Sequence, residues 1–497
     1  MELSKEVDIL IIGSGPTGLG AATRLHQLNH ENWLMIDALD KPGGLAATDV
    51  TPEGFLFDIG GHVIFSHYKY FDDLLDHALG TGTENWAFHE RISYVYTKGR
   101  YIPYPFQNNI SQLPVEDQIE CITGLIEAQL ESATACGKPK TFDEWILRVM
   151  GKGIANIFMR PYNFKVWATP TTLMQCKWLG ERVATVDVNR AIKNVLLKKA
   201  DAGWGPNATF RFPQQGGTGA IWKAVASLLP KEKIKFSSKV IALNLHKKEV
   251  RLESGESFRY NKLLSTMPLD YTLKLVGKPE LADQLKHNKT HIIGIGLRGH
   301  QPRVHANWIY YPEDNCPSYR ATIFSKYGEG NAPPADRLLP TIQMGITPVN
   351  DNIVAPGPYW SIMVEVSESE HKPVNKDTIV YDTILGAINV GLMESEDEIV
   401  SIHYRKENHG YPIPHIDRDG VLEVALPWLK DHSVWSRGRF GSYKYEVANQ
   451  DHSLMIGVEA INNMLYEEEE VSLCRPDYVN KGSVKNKIIY EPKMKQE

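Results

Sequence analysis

Residues 7–12, VDILII, are apolar and mostly β-branched, the pattern of a short strand buried on both faces. The pattern breaks at Gly13, Gly15 and Gly18. LGAATRLHQL then resumes at helical spacing, and NWLMID makes a second strand ending on Asp37. Strand, glycine turn, helix, strand and terminal acid in that order predict a dinucleotide-binding unit. The glycines let the turn close, bring backbone up to a pyrophosphate and let helix pack on strand, while the acid meets a ribose hydroxyl.

Past residue 100 the period changes. LPVEDQIECITGLIEAQLESA places Ile119, Ile122, Ile126 and Leu130 on one helical face, as an amphipathic helix requires. Thr141 and Glu144 form a capping box that opens FDEWILRVMG, and a further helical segment runs to Arg160 before Pro161. Strands return near residue 234, and HIIGIGL, NWIYY, ATIFSK and YWSIMVEV read as antiparallel strands between residues 290 and 365. A last helix is expected near 453–466. The fold class that follows is α/β. It has a discontinuous Rossmann-like domain (1–104, 206–285 and 410–475), an inserted helical domain (105–205), an antiparallel sheet domain (286–409) and a poorly ordered polar tail (476–497).

Composition narrows the function. A net charge of -6 argues against nucleic acid or an anionic membrane as partner, so an anionic ligand needs a local cluster of Arg or Lys. Five scattered cysteines without a Cys-x-x-Cys pair predict neither a metal site nor a disulfide framework, and fit a reducing compartment. With no signal-like N-terminus and no long apolar run, a cytoplasmic protein is expected.

Two further glycine pairs follow the first unit, in KPGGLAATD (Gly44, Leu45) and FDIGGHVIFSH (Gly60, Gly61, His62), and suggest backbone pressed against a flat or phosphorylated ligand. These join PYPFQNN, MRPYNFKVWA, NATFRFPQQGGTGAIW, PEDNCPSYRATIFS and WSRGRFGSYKYEVANQDHS in one order along residues 5–465. In that combination the chain resembles the UDP-galactopyranose mutase family in its eukaryotic, fungal-type form.

The resemblance implies an FAD-dependent isomerase that interconverts UDP-galactopyranose and UDP-galactofuranose with no net redox change. N5 of the reduced flavin is the nucleophile at the anomeric carbon and UDP is the leaving group. FAD is held without a covalent link, and NADPH is consumed only to reduce it. The family's phosphate-binding arginines fall on Arg182 and Arg320, whose forked guanidiniums suit a departing pyrophosphate. Tyr310, Tyr327, Tyr411 and Tyr445 add hydroxyl donors. Uracil and ribose fall to Tyr104, Gln107, Asn163 and Trp167, the sugar-phosphate region to Asn207, and Trp308 is a weaker wall candidate. His62 sits over the flavin as a redox-sensing residue. Gly13, Gly15, Thr17, Gly18, Asp37, Gly44, Leu45, Gly60, Gly61, Arg439, Asn449, Gln450 and Ser453 hold FAD, and Arg91 and Ser93 hold NADPH.

Tyr443 and Ala448 depart from the family, where Trp and Gly are expected. Assembly stays open between monomer and homo-oligomer, with a tetramer in fungal relatives and the helical segment a candidate contact. Two other readings share the cofactor architecture: a flavin amine oxidase or desaturase, and a non-enzymatic carrier like the GDP-dissociation inhibitors. The first needs an apolar substrate tunnel, and the second would have lost the flavin contacts.

Overall fold

The computed structural model describes residues 5–134, 137–180, 183, 185–201, 208–301, 304–349 and 353–481. The apolar run becomes strand β1 (Lys5–Ile12), the glycine turn leads into helix α1 (Pro16–Gln27), and β2 (Trp33–Ile36) returns beside β1. β1 is central in a seven-stranded sheet. It pairs in parallel with β2 on one side and with the strand Ser257–Ser265 on the other. Ile9, Leu10 and Ile11 are fully buried, which explains the unbroken apolar run. The long C-terminal helix Gln450–Tyr466 packs along α1. The contact is close because a Cβ on Gly20 would sit 2.3 Å from the Leu454 carbonyl oxygen.

A second, nine-stranded sheet carries the middle of the chain. Lys289–Arg298 lies between Tyr359–Glu368 and Glu398–Glu407, antiparallel to both. Its far edge is Trp308–Tyr310 paired in parallel with Ser93–Thr97, then Arg100–Pro103. The sheet is therefore mixed, and two strands from before residue 104 complete it.

The helical insertion forms with two departures from the pattern reading. Thr141 caps Phe142–Ile154 as expected, its Oγ1 accepting from the Glu144 amide at 3.2 Å. Pro161 does not end a helix, however. It occupies the first turn of Arg160–Trp167, where its missing N–H costs nothing. The helix Val115–Thr134 turns its apolar stripe outward: Ile119 is 62% exposed and Leu130 68%. Cys121 and Leu125 face the core instead. At the other end, Pro476–Lys481 is helical with Val479 buried, so order extends past residue 475, and 482–497 lie outside the described residues.

Candidate functional site

The glycine turn is the first wall of the site. Gly13 has φ +100, and a Cβ there would lie 2.0 Å from Thr266 Oγ1. A Cβ on Gly18 would lie 1.8 Å from the Gly13 carbonyl oxygen, whereas one on Gly15 would make only ordinary contact, with the Gly43 carbonyl oxygen at 3.8 Å and Gly44 Cα at 3.9 Å. Two glycines thus close the turn, and the third leaves room for a ligand to approach backbone. Asp37 braces this turn. One carboxylate oxygen accepts from the Ser14 amide and hydroxyl, both at 2.6 Å, and the other accepts from the Leu39 amide.

From this turn one cavity of about 680 Å³ runs between the two sheets. Gly13, Gly15, Thr17, Asp37, Gly44 and Leu45 line one end. Asn449, Gln450 and Ser453, at the start of the helix Gln450–Tyr466, line it beside Gly60, Gly61, His62 and Arg439. Gln450 Oε1 accepts from Trp222 Nε1 at 2.8 Å, while its buried Nε2 meets no protein partner among the described residues. Amide donors and a helix N-terminus facing a cavity favour an electron-rich or anionic ligand. The groove can hold an extended dinucleotide. The expected residues other than Gly18 all border it, and Gly18 is consumed in closing the turn.

His62 marks the middle of the cavity. Burial, helped by the nearby Arg439 guanidinium, holds its imidazole down to about 4, so it is neutral at pH 7. Its Nδ1 has no hydrogen-bond partner among the described residues. The turn that carries it is anchored by Asp58, which accepts from Thr48 Oγ1, Thr218 Oγ1 and the Thr218 amide. Burial lifts the Asp58 carboxyl to about 7.

The other end of the cavity gathers Arg320, Tyr310, Tyr411, Tyr445, Arg91 and Trp308. Arg320 is not an isolated cation. Its Nε and Nη2 donate to Glu365 Oε1 at 3.0 and 2.6 Å, and Nη2 also reaches Oε2 and the Gly61 carbonyl. Glu365, 1% exposed, accepts from the Gly61 amide at 2.7 Å and from the Tyr319 hydroxyl as well. The carboxylate keeps the guanidinium charged well beyond its ordinary range and ties it to the glycine pair before His62. Sequence reasoning missed both Glu365 and Tyr319. The available signal was an acid at position 365 inside the apolar strand YWSIMVEV, since a buried acid needs a partner.

The remaining expected residues are placed unevenly. Trp167 stacks edge-on against Tyr445 and Tyr411 at ring distances of 4.7 and 5.6 Å, and Tyr104 lies 5.2 Å from Tyr310. Tyr162, another residue missed from sequence, also packs on Tyr310. Asn163 spends its amide inside its own helix, donating to the Met159 carbonyl and accepting from Trp167 Nε1. Gln107 is buried, and Tyr327 packs on Phe210 and Phe212 behind the cavity wall. Arg91 lies over the rings of Phe65 and Trp308, and Ser93 is buried in the adjoining strand, outside the lining. Arg182 and Asn207 lie outside the described residues.

Residues 11–78 match the family described as NAD(P)-binding Rossmann-like domain. A solved structure of reduced UDP-galactopyranose mutase is 44% identical and superposes with a TM-score of 0.87, covering 95% of this chain and 97% of that one. The chain belongs to the UDP-galactopyranose mutase family. It is therefore an enzyme of the isomerase type that the family name describes. Two more distant structures share the fold alone. A CLA-producing fatty acid isomerase from P. acnes is 13% identical with a TM-score of 0.58, over 93% of this chain and 100% of that one. Putrescine oxidase with putrescine bound is 12% identical with a TM-score of 0.59, again over 93% and 100%. Ferredoxin–NADP reductase 2 of Sulfolobus acidocaldarius is 39% identical over 74 residues, so the chain spans only 22% of that relative's length and the match covers 15% of this chain. Among the described residues no helix is long and apolar enough to cross a membrane.

Proposed function

We propose that the chain binds FAD along the groove and interconverts UDP-galactopyranose and UDP-galactofuranose, as the eukaryotic, fungal-type members of its family do. The observation that carries this reading is the continuity of one cavity from the glycine turn, past His62, to Arg320 and three tyrosines. A flavin bound and reduced there supplies a nucleophile, N5, for the anomeric carbon of the sugar. Arg320, with Arg182 from outside the described residues, binds the pyrophosphate and stabilises UDP as it departs. Tyr310, Tyr411 and Tyr445 donate hydroxyl hydrogens without adding charge. The neutral His62 can report the charge on a ligand through its mobile proton without repelling Arg320.

Arg91, on the wall beside Trp308, with Ser93 in the strand behind it, receives NADPH, which reduces the flavin at a site overlapping that of the nucleotide sugar. Free thiols at Cys121, Cys176, Cys316 and Cys474 support a reducing, cytoplasmic setting. The arginines and tyrosines at the substrate end oppose an amine oxidase, whose substrate is a cation. The intact groove, with Gln450 Nε2 left without a protein partner among the described residues, opposes a carrier without flavin.

The deciding measurement is product formed per NADPH oxidised with oxygen excluded. Many turnovers should follow one reduction, oxidised enzyme should be inactive, and UDP should compete with NADPH. A ratio fixed at one would show an ordinary oxidoreductase and end this reading.

A further inference from the structure

Lysines keep their charged ends in water unless something inside the fold holds them. Lys165, on the helix Arg160–Trp167, is only 3% exposed. Its Nζ donates to the carbonyls of Glu313 and Cys316 at 2.8 and 2.9 Å, and to Cys316 Sγ at 3.7 Å. None of these partners is a carboxylate. A buried cation without a contacting counter-charge favours its neutral form, and burial does hold this amine below its ordinary value, with Cys316, Asp314 and Glu313 pulling the other way. Burial, with the charge of Lys165 close by, brings Lys372 down to about 8 beside it. Cys316 is 5% exposed, and its thiol donates to the Ser318 carbonyl at 3.5 Å. The sulfur cannot drift away, because the helix Ile379–Asn389 presses on it: a Cβ on Gly386 would lie 2.8 Å from Cys316 Cβ. Among the described free thiols, Cys316 is the one that receives a lysine hydrogen bond.

We propose that Lys165 and Cys316 form a modification site, at which hydrogen peroxide oxidises the thiol and the lysine amine then closes a reversible sulfenamide bond to the sulfur. The amine first accepts the thiol proton. The thiolate attacks one peroxide oxygen, giving the sulfenic acid and hydroxide, and the ammonium returns its proton to make water. The neutral amine then attacks the sulfenic sulfur. An N–S bond replaces the S–OH bond, and the hydroxyl leaves as water with a proton from the nitrogen. One peroxide is reduced, one thiol and one amine are joined, and two waters are released. Added thiol reverses the bond by attack at sulfur, which frees the amine, and a second thiol then frees Cys316. The bond joins two sides of the arginine end of the cavity from behind. Lys165 shares its helix with Tyr162, which packs on Tyr310, and with Trp167, which packs on Tyr445. Cys316 lies just before Tyr319 and Arg320. Neither Lys165 nor Cys316 borders the cavity, and the inference does not depend on the catalytic reading.

The test treats the full-length, flavin-loaded chain with a small excess of hydrogen peroxide, removes the remainder with catalase, and maps the protein by mass spectrometry after digestion without reductant. The peptides bearing Lys165 and Cys316 should appear joined, two hydrogens lighter than their sum, and should separate after dithiothreitol. Cys316→Ser should give no joined peptide. Lys165→Arg should give none either, and should carry Cys316 on to the sulfinic acid, which dithiothreitol does not reverse. A link across 151 positions of chain restrains the unfolded state. The oxidised wild type should therefore unfold at a higher denaturant concentration than the same sample after dithiothreitol, a difference absent from Cys316→Ser. No joined peptide in the wild type would overturn the proposal, and so would a joined peptide that keeps the peroxide oxygen. Sulfinic acid forming at Cys316 as fast in the wild type as in Lys165→Arg would overturn the role of the amine. Equal unfolding midpoints before and after dithiothreitol would overturn the link between the two segments.

Discussion

At residue scale the least expected participant is Glu365. Its carboxylate is buried and shared by Arg320, Tyr319 and the Gly61 amide. Glu365→Ala leaves the Arg320 charge desolvated and uncompensated, a loss of about 3–5 kcal/mol of stability, to be read from denaturant unfolding. Arg320→Ala should keep the flavin and weaken UDP binding by roughly one to two powers of ten in calorimetry, because a charge-assisted contact contributes about 1.5–3 kcal/mol. Unchanged UDP affinity would remove Arg320 from the phosphate site. The pair could not be foreseen from motifs. Arg320 belongs to a recognisable segment, but position 365 is 45 residues away and meets it only because Arg320–Thr322 pairs with Tyr359–Glu368 in the sheet.

Elements show how local sequence and packing divide the work. The turn before α1 is determined locally, because a Cβ at Gly18 has no room against the Gly13 carbonyl 1.8 Å away. Gly18→Ala should therefore abolish flavin retention, measured as the ratio of flavin to protein absorbance after purification. The helix Gln450–Tyr466 carries a tertiary demand instead. Glu459 lies buried and accepts from the amide and hydroxyl of Ser472, and burial lifts its carboxyl to about 8. A carboxyl raised in the fold is protonated there while the unfolded chain has already ionised. Its contribution to stability is lost as pH rises from about 4.5 to about 8. Glu459→Gln should gain stability relative to wild type across that window, compared by thermal unfolding at pH 5 and pH 8. An equal gap at both values would show that the group does not titrate there. The helix Val115–Thr134 makes the same division visible. Its period was readable, but which face meets the core was set by Cys121 and Leu125 packing inward.

For the whole molecule, the cavity exists because segments far apart in sequence close on one another. The glycine turn at residue 13, the pair at 60–61, Arg320 and the helix start at 449 all border it. The described contacts in this groove are hydrogen bonds and packing, and no His or Cys sits in a recognisable flavinylation context. Acid should accordingly release intact FAD into the supernatant, and yellow colour left in the precipitated protein would show a covalent link instead.

The sequence by itself determined the Rossmann unit, the glycine-turn end of the groove and the family, because each rests on local backbone demands or on contiguous motifs. Apolar runs flanked by glycines can form little else, and their chemistry survives without knowing what lies opposite. Only the tertiary structure decided that Ser93–Thr97 extends the second sheet, that Glu365 holds Arg320, and that Asn163 spends its amide on its own helix. It alone turned Ile119 and Leu130 to the surface. These outcomes depend on which elements meet across long stretches of chain, and on the requirement that a buried charge find its counter-charge wherever the fold brings one near.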